Sequence, residues 1–412
     1  MLELMRTQVS LRELLTCRAY LLFWSARLTT QLASQMMMVA LGWQMYDLSA
    51  SAWDLGLVGL AQFVPALLLT LPAGHVADRV HRARLLQASI ALQLLVALVL
   101  TQASRGDWIS RELILLLSML LGAVRAFQMP ASQALPALLV PPQLLAQAVA
   151  FGSSGVQLAI IAGPALGGFI YVAGAAAVYG LCAAFLLLGV LLAAGIRHAA
   201  PAVTREPASW ASVLAGVHFL RQRPALIGAI SLDLFAVLLG GATALLPIYA
   251  RDILHTGPWG LGLLRSAPAA GALLLSIWLA RRPIRRRVGR WLIGAVALFG
   301  LSMLVFALSR SFVLSLLALL LSGAADMVSV VIRQTLVQLE TPDAMRGRVS
   351  AVNSIFIGAS NQLGEFESGA TAAWLGPVGS VLLGGCGVLL VAALWVRIFP
   401  SLWQRDRLLP PD

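Results

Sequence analysis

The sequence contains no lysine, and charged residues of every kind make up only 11% of its 412 residues. A soluble globular protein has roughly 25% charged residues, so this composition is not that of a soluble globular protein. Apolar residues reach 59%, and uncharged runs such as 85–100 and 381–396 recur along the chain. Each run is near the roughly 20 residues that cross a bilayer as a helix. The sequence therefore predicts an all-α membrane protein.

Other absences narrow the function. Without lysine, the chain contains no Walker A phosphate-binding loop, G-x-x-x-x-G-K-[ST]. The three cysteines, Cys17, Cys182 and Cys386, are isolated and form no C-x-x-C pair. The five histidines lie in loops or at span ends, and neither H-E-x-x-H nor G-x-S-x-G occurs. We therefore expect no metal, no cofactor and no enzyme activity.

Apolar windows separated by polar breaks predict twelve spans. They lie at about 20–45, 54–76, 84–104, 110–137, 145–172, 174–196, 224–250, 258–280, 290–309, 312–339, 345–371 and 376–400. The longest polar interruption falls in the middle of the chain. It predicts an N-terminal six-helix bundle over 1–196, a central cytoplasmic loop over 197–223 and a C-terminal six-helix bundle over 224–412.

The arginines fix the predicted orientation. If both termini are cytoplasmic, twenty-one arginines lie on the cytoplasmic side, and the opposite side has only Arg105, Arg111, Arg251 and Arg310. Such a bias follows the positive-inside rule, and it explains the net charge of +12 without nucleic acid. We expect a multi-pass protein of the bacterial inner membrane.

An internal repeat supports the division into six and six. An offset of 201 residues aligns Gly122 with Gly323 and Gln133 with Gln334, and it continues without gaps. Parallel repeats of this kind place the binding site between the two sets of helices, near the midplane.

Two motifs carry a family resemblance. Residues 74–84, GHVADRVHRAR, are similar to the G-x-x-x-D-R-x-x-R-R/K loop signature of the major facilitator superfamily. Residues 163–168, GPALGG, are similar to the G-P-x-x-G-G motif of drug:proton antiporters in that superfamily, and residues 341–349 resemble the branch that includes enterobactin exporters. Two departures stand out: the second-half loop 281–287 lacks the acidic residue, and residues 364–369 replace the Gly-Pro pattern.

The resemblance implies roles for the motif residues. The gating loop comprises Gly74, Asp78, Arg79 and Arg82, and the fifth-span motif comprises Gly163, Pro164, Gly167 and Gly168. Asp78 can pair with nearby arginines or face a helix N-terminus, which would latch the two sets of helices; alternatively, the loop serves only topology. In the fifth span, glycines allow close helix approach and Pro164 removes a hydrogen bond.

Ionisable residues at bilayer depth are costly and usually face a cavity or a partner. The predicted spans contain Arg27, Arg125, Asp233, Arg265, Asp326, Arg333, Glu365 and Glu367. The resemblance implies that spans 1, 4, 7 and 10 line the cavity, which selects Arg27, Arg125, Asp233 and Asp326. Glu365 lies at a depth similar to that of Arg265, which suggests a pair.

Three readings of these charges stay open. In the first, Asp326 or Asp233 takes up and releases a proton. In the second, Arg–Asp ion pairs hold a closed state until the substrate displaces them. In the third, the ion pairs are static and only structural. Asp326 is the first choice as the proton carrier, because Arg333 lies two turns away on the same face. We expect Arg333 and Arg27 to extend to the interface.

The predicted function is proton-coupled export of a small amphipathic organic solute, drug-like or siderophore-like, by alternating access. The expected partners are the solute, protons and the lipid bilayer, with no nucleic acid, and the expected state is a monomer. The alternatives are an importer of the same fold and a non-transporting membrane sensor.

Overall fold

A computed structural model describes residues 12–196 and 210–408, apart from some side chains within them. Over these ranges the chain is helical and contains no strand. The long helices, numbered in chain order, are α1 (Arg18–Ser49), α2 (Ala52–Arg79), α3 (Arg82–Arg105), α4 (Arg111–Ala134), α5 (Leu145–Tyr171), α6 (Ala175–Ala194), α7 (Pro224–Gly240), α8 (Gly257–Arg281), α9 (Val288–Leu308), α10 (Phe312–Glu340) and the range Asp343–Ile398. The last range contains Gly376 at φ 74° and ψ 165°, a non-helical conformation, so the parts before and after it are α11 and α12.

Shorter elements connect these helices. They are Pro136–Leu139, the 3₁₀ turn Pro142–Leu144, Trp210–Arg221, the 3₁₀ turn Thr243–Leu245, Leu246–Ile248, the π turn Tyr249–Ile253 and Pro400–Trp403. At the start of α4, the Ser110 side chain accepts a hydrogen bond from the Leu113 N–H. This cap satisfies one of the free N–H groups that every helix start leaves.

Ten helical ranges in the described part of the chain are long and apolar enough to cross a membrane. One of them, Phe356–Ile398, contains Gly376 and so includes parts of both α11 and α12. Helix α1 is 32 residues long but is not among the ten. The protein is an all-helical, multi-pass membrane protein.

The helix ends agree with the predicted spans to within a few residues, except at the seventh span. The span predicted at 224–250 corresponds to the candidate span Pro224–Ile253, but within it α7 ends at Gly240. The helix is interrupted there because Gly240 and Gly241 favour non-helical backbone and Pro247 has no N–H to donate. The basic motif also differs from the prediction, since α2 continues through Gly74 to Arg79.

The chain divides into two compact units. The first comprises Met1–Gln44 and Ala61–Ala208, and the second comprises Met45–Leu60 and Ser209–Asp412, of which the structure describes the ranges given above. Residues 45–60, the α1–α2 corner, thus belong to the second unit. The domain boundaries at 197–223 stay a prediction.

Each unit contains a very close helix pair at a glycine that the repeat aligns. In the first, a Cβ added to Gly122 of α4 would lie 2.1 Å from the Gln62 carbonyl oxygen of α2. In the second, a Cβ added to Gly323 of α10 would lie 1.9 Å from the Pro268 carbonyl oxygen of α8. Only glycine permits this approach. The two glycines are the pair that the internal repeat aligns.

The second unit has an extensive apolar core. Side chains from α7, α9, α10, α11 and α12 form it, among them Leu226, Ile230, Leu292, Ile332 and Trp395. The Trp395 indole N–H donates to the Gly228 carbonyl oxygen at 3.0 Å. These contacts hold α7 against α12, and α7 also carries the first charged residue of the candidate site.

Candidate functional site

A buried ion pair joins α7 to α10 in the second unit. Arg333 Nη2 lies 3.1 Å from Asp233 Oδ2, and the two residues are 2% and 6% exposed. The Ser329 hydroxyl donates to Asp233 Oδ1 at 3.1 Å, and Arg333 Nη1 donates to Asn353 Oδ1 at 2.7 Å. One carboxylate and one guanidinium therefore connect α7, α10 and α11.

The spacing on α10 explains how the cluster forms. Ser329 and Arg333 are four residues apart, and Asp326 comes seven residues before Arg333. Residues three, four or seven apart share one face of a helix. Asp326 is half-buried and lies within electrostatic range of both Asp233 and Arg333. The cluster thus has a dry ion pair and a more accessible second carboxylate.

The charges of this cluster do not cancel. Asp233, Asp326 and Arg333 together carry one excess negative charge when all three are ionised, and an uncompensated charge in a low-dielectric interior is costly. One proton removes that excess. Arg333 Nε is also buried and donates no hydrogen bond to any described group, so the guanidinium retains a donor for a second carboxylate.

The structure corrects one expectation about Arg333. Its side chain does not extend to the interface but points into the unit, where it binds Asp233 and Asn353. The attraction of a buried carboxylate on the neighbouring helix outweighs solvation at the membrane surface. Asp326 and Arg333, predicted as partners, interact electrostatically, but the ion pair within hydrogen-bond distance is the one to Asp233.

The two membrane arginines of the first unit have different surroundings. Arg27 is half-buried and lies near Tyr20, whose hydroxyl donates to the Ala148 carbonyl oxygen at 2.6 Å. A Cβ added to Gly152 would lie 3.6 Å from Arg27 Nη1. Arg125 is exposed and has no ion pair with a described residue of its own unit. The structure thus does not join these two residues in a cluster.

Trp24 lies inside the first unit. Its ring stacks on Phe151 at 4.8 Å, and its indole N–H donates to the Phe151 carbonyl oxygen at 3.2 Å. Gly155 faces the same indole, since a Cβ there would lie 2.9 Å from Nε1. These contacts hold α1 against α5.

The GPALGG motif packs α5 against α1. A Cβ added to Gly163 would lie 2.6 Å from Gln35 Cβ, and one added to Gly167 would lie 2.9 Å from Met36 Cα. Pro164 and Gly168 are buried, and the helix runs through Pro164 from Leu145 to Tyr171. The glycines let the two backbones approach closely.

The basic motif lies at the end of α2 and the start of α3. Gly74 has no neighbour within 4 Å of an added Cβ. Arg79 is exposed, Arg82 is half-buried with a bonding partner, and the Asp78 side chain lies outside the described residues. Among the described residues, no three metal-binding side chains lie together.

Glu365 lies on α11 against the α1–α2 corner. A Cβ added to Gly59 would lie 3.0 Å from both Cβ and Oε2 of Glu365. Arg265 of α8 interacts electrostatically with the same carboxylate. The pair suggested by the sequence thus has a counterpart in the structure. Glu367, two residues away, lies beside Ser368.

A family model described as Transmembrane secretion effector matches residues 14–407. The chain belongs to this family. It is therefore a member of the major facilitator superfamily, whose proteins are membrane transporters and not enzymes.

Curated relatives of this family member include enterobactin exporters. An enterobactin exporter of Citrobacter koseri is 27% identical over 412 residues, which cover 98% of this chain and 97% of the relative. An enterobactin exporter of Escherichia coli O81 is 28% identical over 277 residues, and that alignment covers 66% of each chain. The aligned stretch therefore spans just under two thirds of the Escherichia coli relative.

Solved structures of the superfamily have the same fold. A bacterial homologue of the human lysosomal transporter Spinster, inward-facing and unoccupied, superposes with a TM-score of 0.75 at 14% identity, covering 96% of this chain and 99% of its own. A D-xylose–proton symporter superposes with a TM-score of 0.67 at 14% identity, covering 93% and 98%. At such identity the likeness concerns the fold alone.

Sequence reasoning missed two members of the cluster in this family member. Ser329 carries no charge, and nothing singled it out except its position four residues before Arg333. Asn353 lies on another helix, twenty residues after Arg333, and no local spacing indicates it as a partner. Counting hydrogen-bonding side chains on the same helical face as each membrane arginine would have found Ser329.

Proposed function

We propose that the protein is a secondary active exporter that couples the exit of a small amphipathic organic solute to proton entry. It crosses the bacterial inner membrane twelve times, with both termini cytoplasmic, as a monomer of two six-helix bundles. Helix α1, together with the division of the last helical range at Gly376, raises the ten candidate spans to twelve. The arginine distribution supports the orientation.

Export rather than import is supported by the relatives. The family is described as secretion effectors, and the curated relatives are named as enterobactin exporters. The solute is accordingly a siderophore or a drug-like molecule of similar amphipathic character. Arg27 and Arg125 offer positive charge toward it from the first unit.

The proposal of proton coupling rests on one observation, the Asp233–Arg333 ion pair with Asp326 beside it. Asp326 is the more accessible carboxylate and takes up the proton, which removes the excess negative charge of the cluster. When the transporter changes state, Arg333 turns its free donor toward Asp326 and the proton leaves. A proton that moves with the membrane potential gains about 2.3 kcal/mol per 100 mV, enough to drive accumulation.

The other motif residues have supporting roles in this proposal. Asp78, with Gly74, Arg79 and Arg82, latches the cytoplasmic side and releases as the helices move. Gly163, Pro164, Gly167 and Gly168 let α5 slide along α1, because no side chain intervenes there. Glu365 of α11 is a second carboxylate that takes up a proton, outside the Asp233–Arg333 cluster.

The proposal is tested with purified protein in liposomes that carry an imposed pH gradient. Dyes, antibiotics and catecholate siderophores are screened for movement in each direction. We expect solute to move in the direction opposite to the proton flux. The vesicle lumen should acidify when protons enter and become alkaline when they leave. Solute movement in the same direction as protons would instead identify an importer, and gradient-independent movement would remove proton coupling.

A further inference from the structure

Two polar contacts hold the start of the α1–α2 corner to the rest of the second unit. Asp47 forms an ion pair with Arg251, and the Tyr46 hydroxyl donates a hydrogen bond to Asp252. Arg251 and Asp252 lie in the π turn that follows α7. Single π turns occur frequently at functional sites. The irregular end of the seventh span therefore supplies the charges that hold the corner.

The middle of the corner approaches the backbone of α11. A Cβ added to Gly369 would lie 2.6 Å from Gly56 Cα. The Trp53 ring meets Phe366 edge-on, with ring centroids 5.4 Å apart and an angle of 64°. No intervening side chain separates the two helices at Gly56. Such a surface gains contact energy only when the two backbones are fully seated.

Glu365 lies under the end of this surface. Its Oε2 is so close to Gly59 that an added Cβ would be only 3.0 Å away. The seated corner therefore covers part of the half-buried Glu365 side chain, and Arg265 supplies the opposite charge from α8. With both groups ionised the pair is neutral overall. If Glu365 takes up a proton, Arg265 remains as an uncompensated charge within a candidate membrane span, Gly257–Arg281, which is costly.

We propose that Glu365 and Arg265 are positioning residues that couple a proton to the seating of the α1–α2 corner on α11. The ionised pair holds the corner seated. Protonation of Glu365 releases the corner, because Arg265 then loses its counter-charge and needs more solvation than the seated corner allows. The inference rests on the proposed function only in taking the proton as the coupling ion.

Other charged groups near this part of the unit must be separated from the effect. They are Asp233 on α7, Glu367 on α11, Asp54 on the corner, and Asp47, Arg251 and Asp252 at its start. Glu367 is the matched control, because it lies on the same helix two residues away and has its own neighbour, Ser368.

Accessibility of a single cysteine on the corner tests the proposal without any substrate. The variant Ala52→Cys is made in a chain whose Cys17, Cys182 and Cys386 are replaced, and labelling by a membrane-impermeant maleimide is followed in mildly alkaline and mildly acidic buffer. Each rate is divided by that of the same variant unfolded in detergent at the same pH, because maleimide reacts with the thiolate and acid lowers its fraction. On this relative scale, otherwise unaltered protein should label at least about fivefold faster in acid, the lower end of ordinary coupling between sites. Glu365→Gln should label fast in both buffers. Glu367→Gln should retain the pH response.

The double variant Glu365→Gln with Arg265→Gln makes the test specific. Because it removes both charges, the corner should return to slow labelling in both buffers. A fast double variant, or a Glu365→Gln variant that keeps the full pH response, would overturn the proposal. Since the readout needs no transport, its failure would leave proton-coupled export standing. If the original protein shows the expected pH-dependent labelling but no pH-driven transport, the proposed function is rejected instead.

Discussion

The two units share a packing device and differ in their charges. Gly122 closes α4 onto α2 in the first unit, and Gly323 closes α10 onto α8 in the second. In the parts of α1 to α6 that belong to the first unit, acidic residues lie only near helix ends, at Asp78 and Glu112, while Arg27 and Arg125 lie farther inside. The second unit contains buried acids, and Arg333 binds one of them. The same packing device thus accompanies cationic residues in the first unit and a cluster of two carboxylates and one arginine in the second.

The largest effect should follow from breaking the buried ion pair. Arg333→Gln leaves the Asp233 carboxylate buried without a counter-charge, which typically costs about 3–5 kcal/mol. We expect a large drop in the melting temperature in detergent. Arg27→Gln, the comparison in the first unit, removes no ion pair to a described carboxylate and should change the melting temperature much less.

A double variant shows whether charge is the reason. Asp233→Asn combined with Arg333→Gln leaves neither charge behind and should melt closer to the original protein than Arg333→Gln alone. Equal melting temperatures for the single and double variants would mean that lost packing, not charge, is responsible.

The shared glycines should produce the next largest effect, and it should be similar in the two units. Gly122→Ala and Gly323→Ala each place a Cβ on a backbone carbonyl, and overpacking of this kind costs about 1–3 kcal/mol or more. The matched controls are Gly180→Ala in the first unit, with its nearest atom at 3.9 Å, and Gly294→Ala in the second, with none within 4 Å. Thermal unfolding in detergent measures all four variants. If alanine is tolerated at only one of these two glycines, the two units do not share this packing constraint.

The smallest effect concerns an uncharged contact in the first unit. Trp24→Phe retains a ring against Phe151 but loses the indole N–H donated to its carbonyl oxygen. A hydrogen bond of this kind contributes about 0.5–1.5 kcal/mol. Trp291→Phe, at an exposed position, should be neutral in the same unfolding assay. A Trp24→Phe variant as stable as the original protein would show that the donor contributes nothing.

The sequence predicted most helices because the bilayer imposes one length and one polarity on every span. The repeat of Gly122 and Gly323 was also visible, since close approach requires glycine. The break after Gly240 was missed because the flanking residues are as apolar as a continuous helix. A hydropathy window measures polarity and not backbone geometry.

Partners of charged residues were harder to predict. Asp233 and Arg333 are one hundred positions apart, and no local pattern indicates which faces of α7 and α10 meet. Arg333 lies near the predicted end of its span, and position along a helix cannot distinguish a side chain that extends to the surface from one directed inward. The Asp326–Arg333 spacing, in contrast, was local and did indicate that both belong to one cluster.

The central claim is that the charged cluster of the second unit binds the proton that drives export. The most direct measurement compares Asp326→Asn with the original protein in liposomes, for pH-driven solute transport and for solute exchange without a gradient. The asparagine cannot carry a proton, so pH-driven transport should be lost while exchange continues. Undiminished pH-driven transport by Asp326→Asn would contradict the claim.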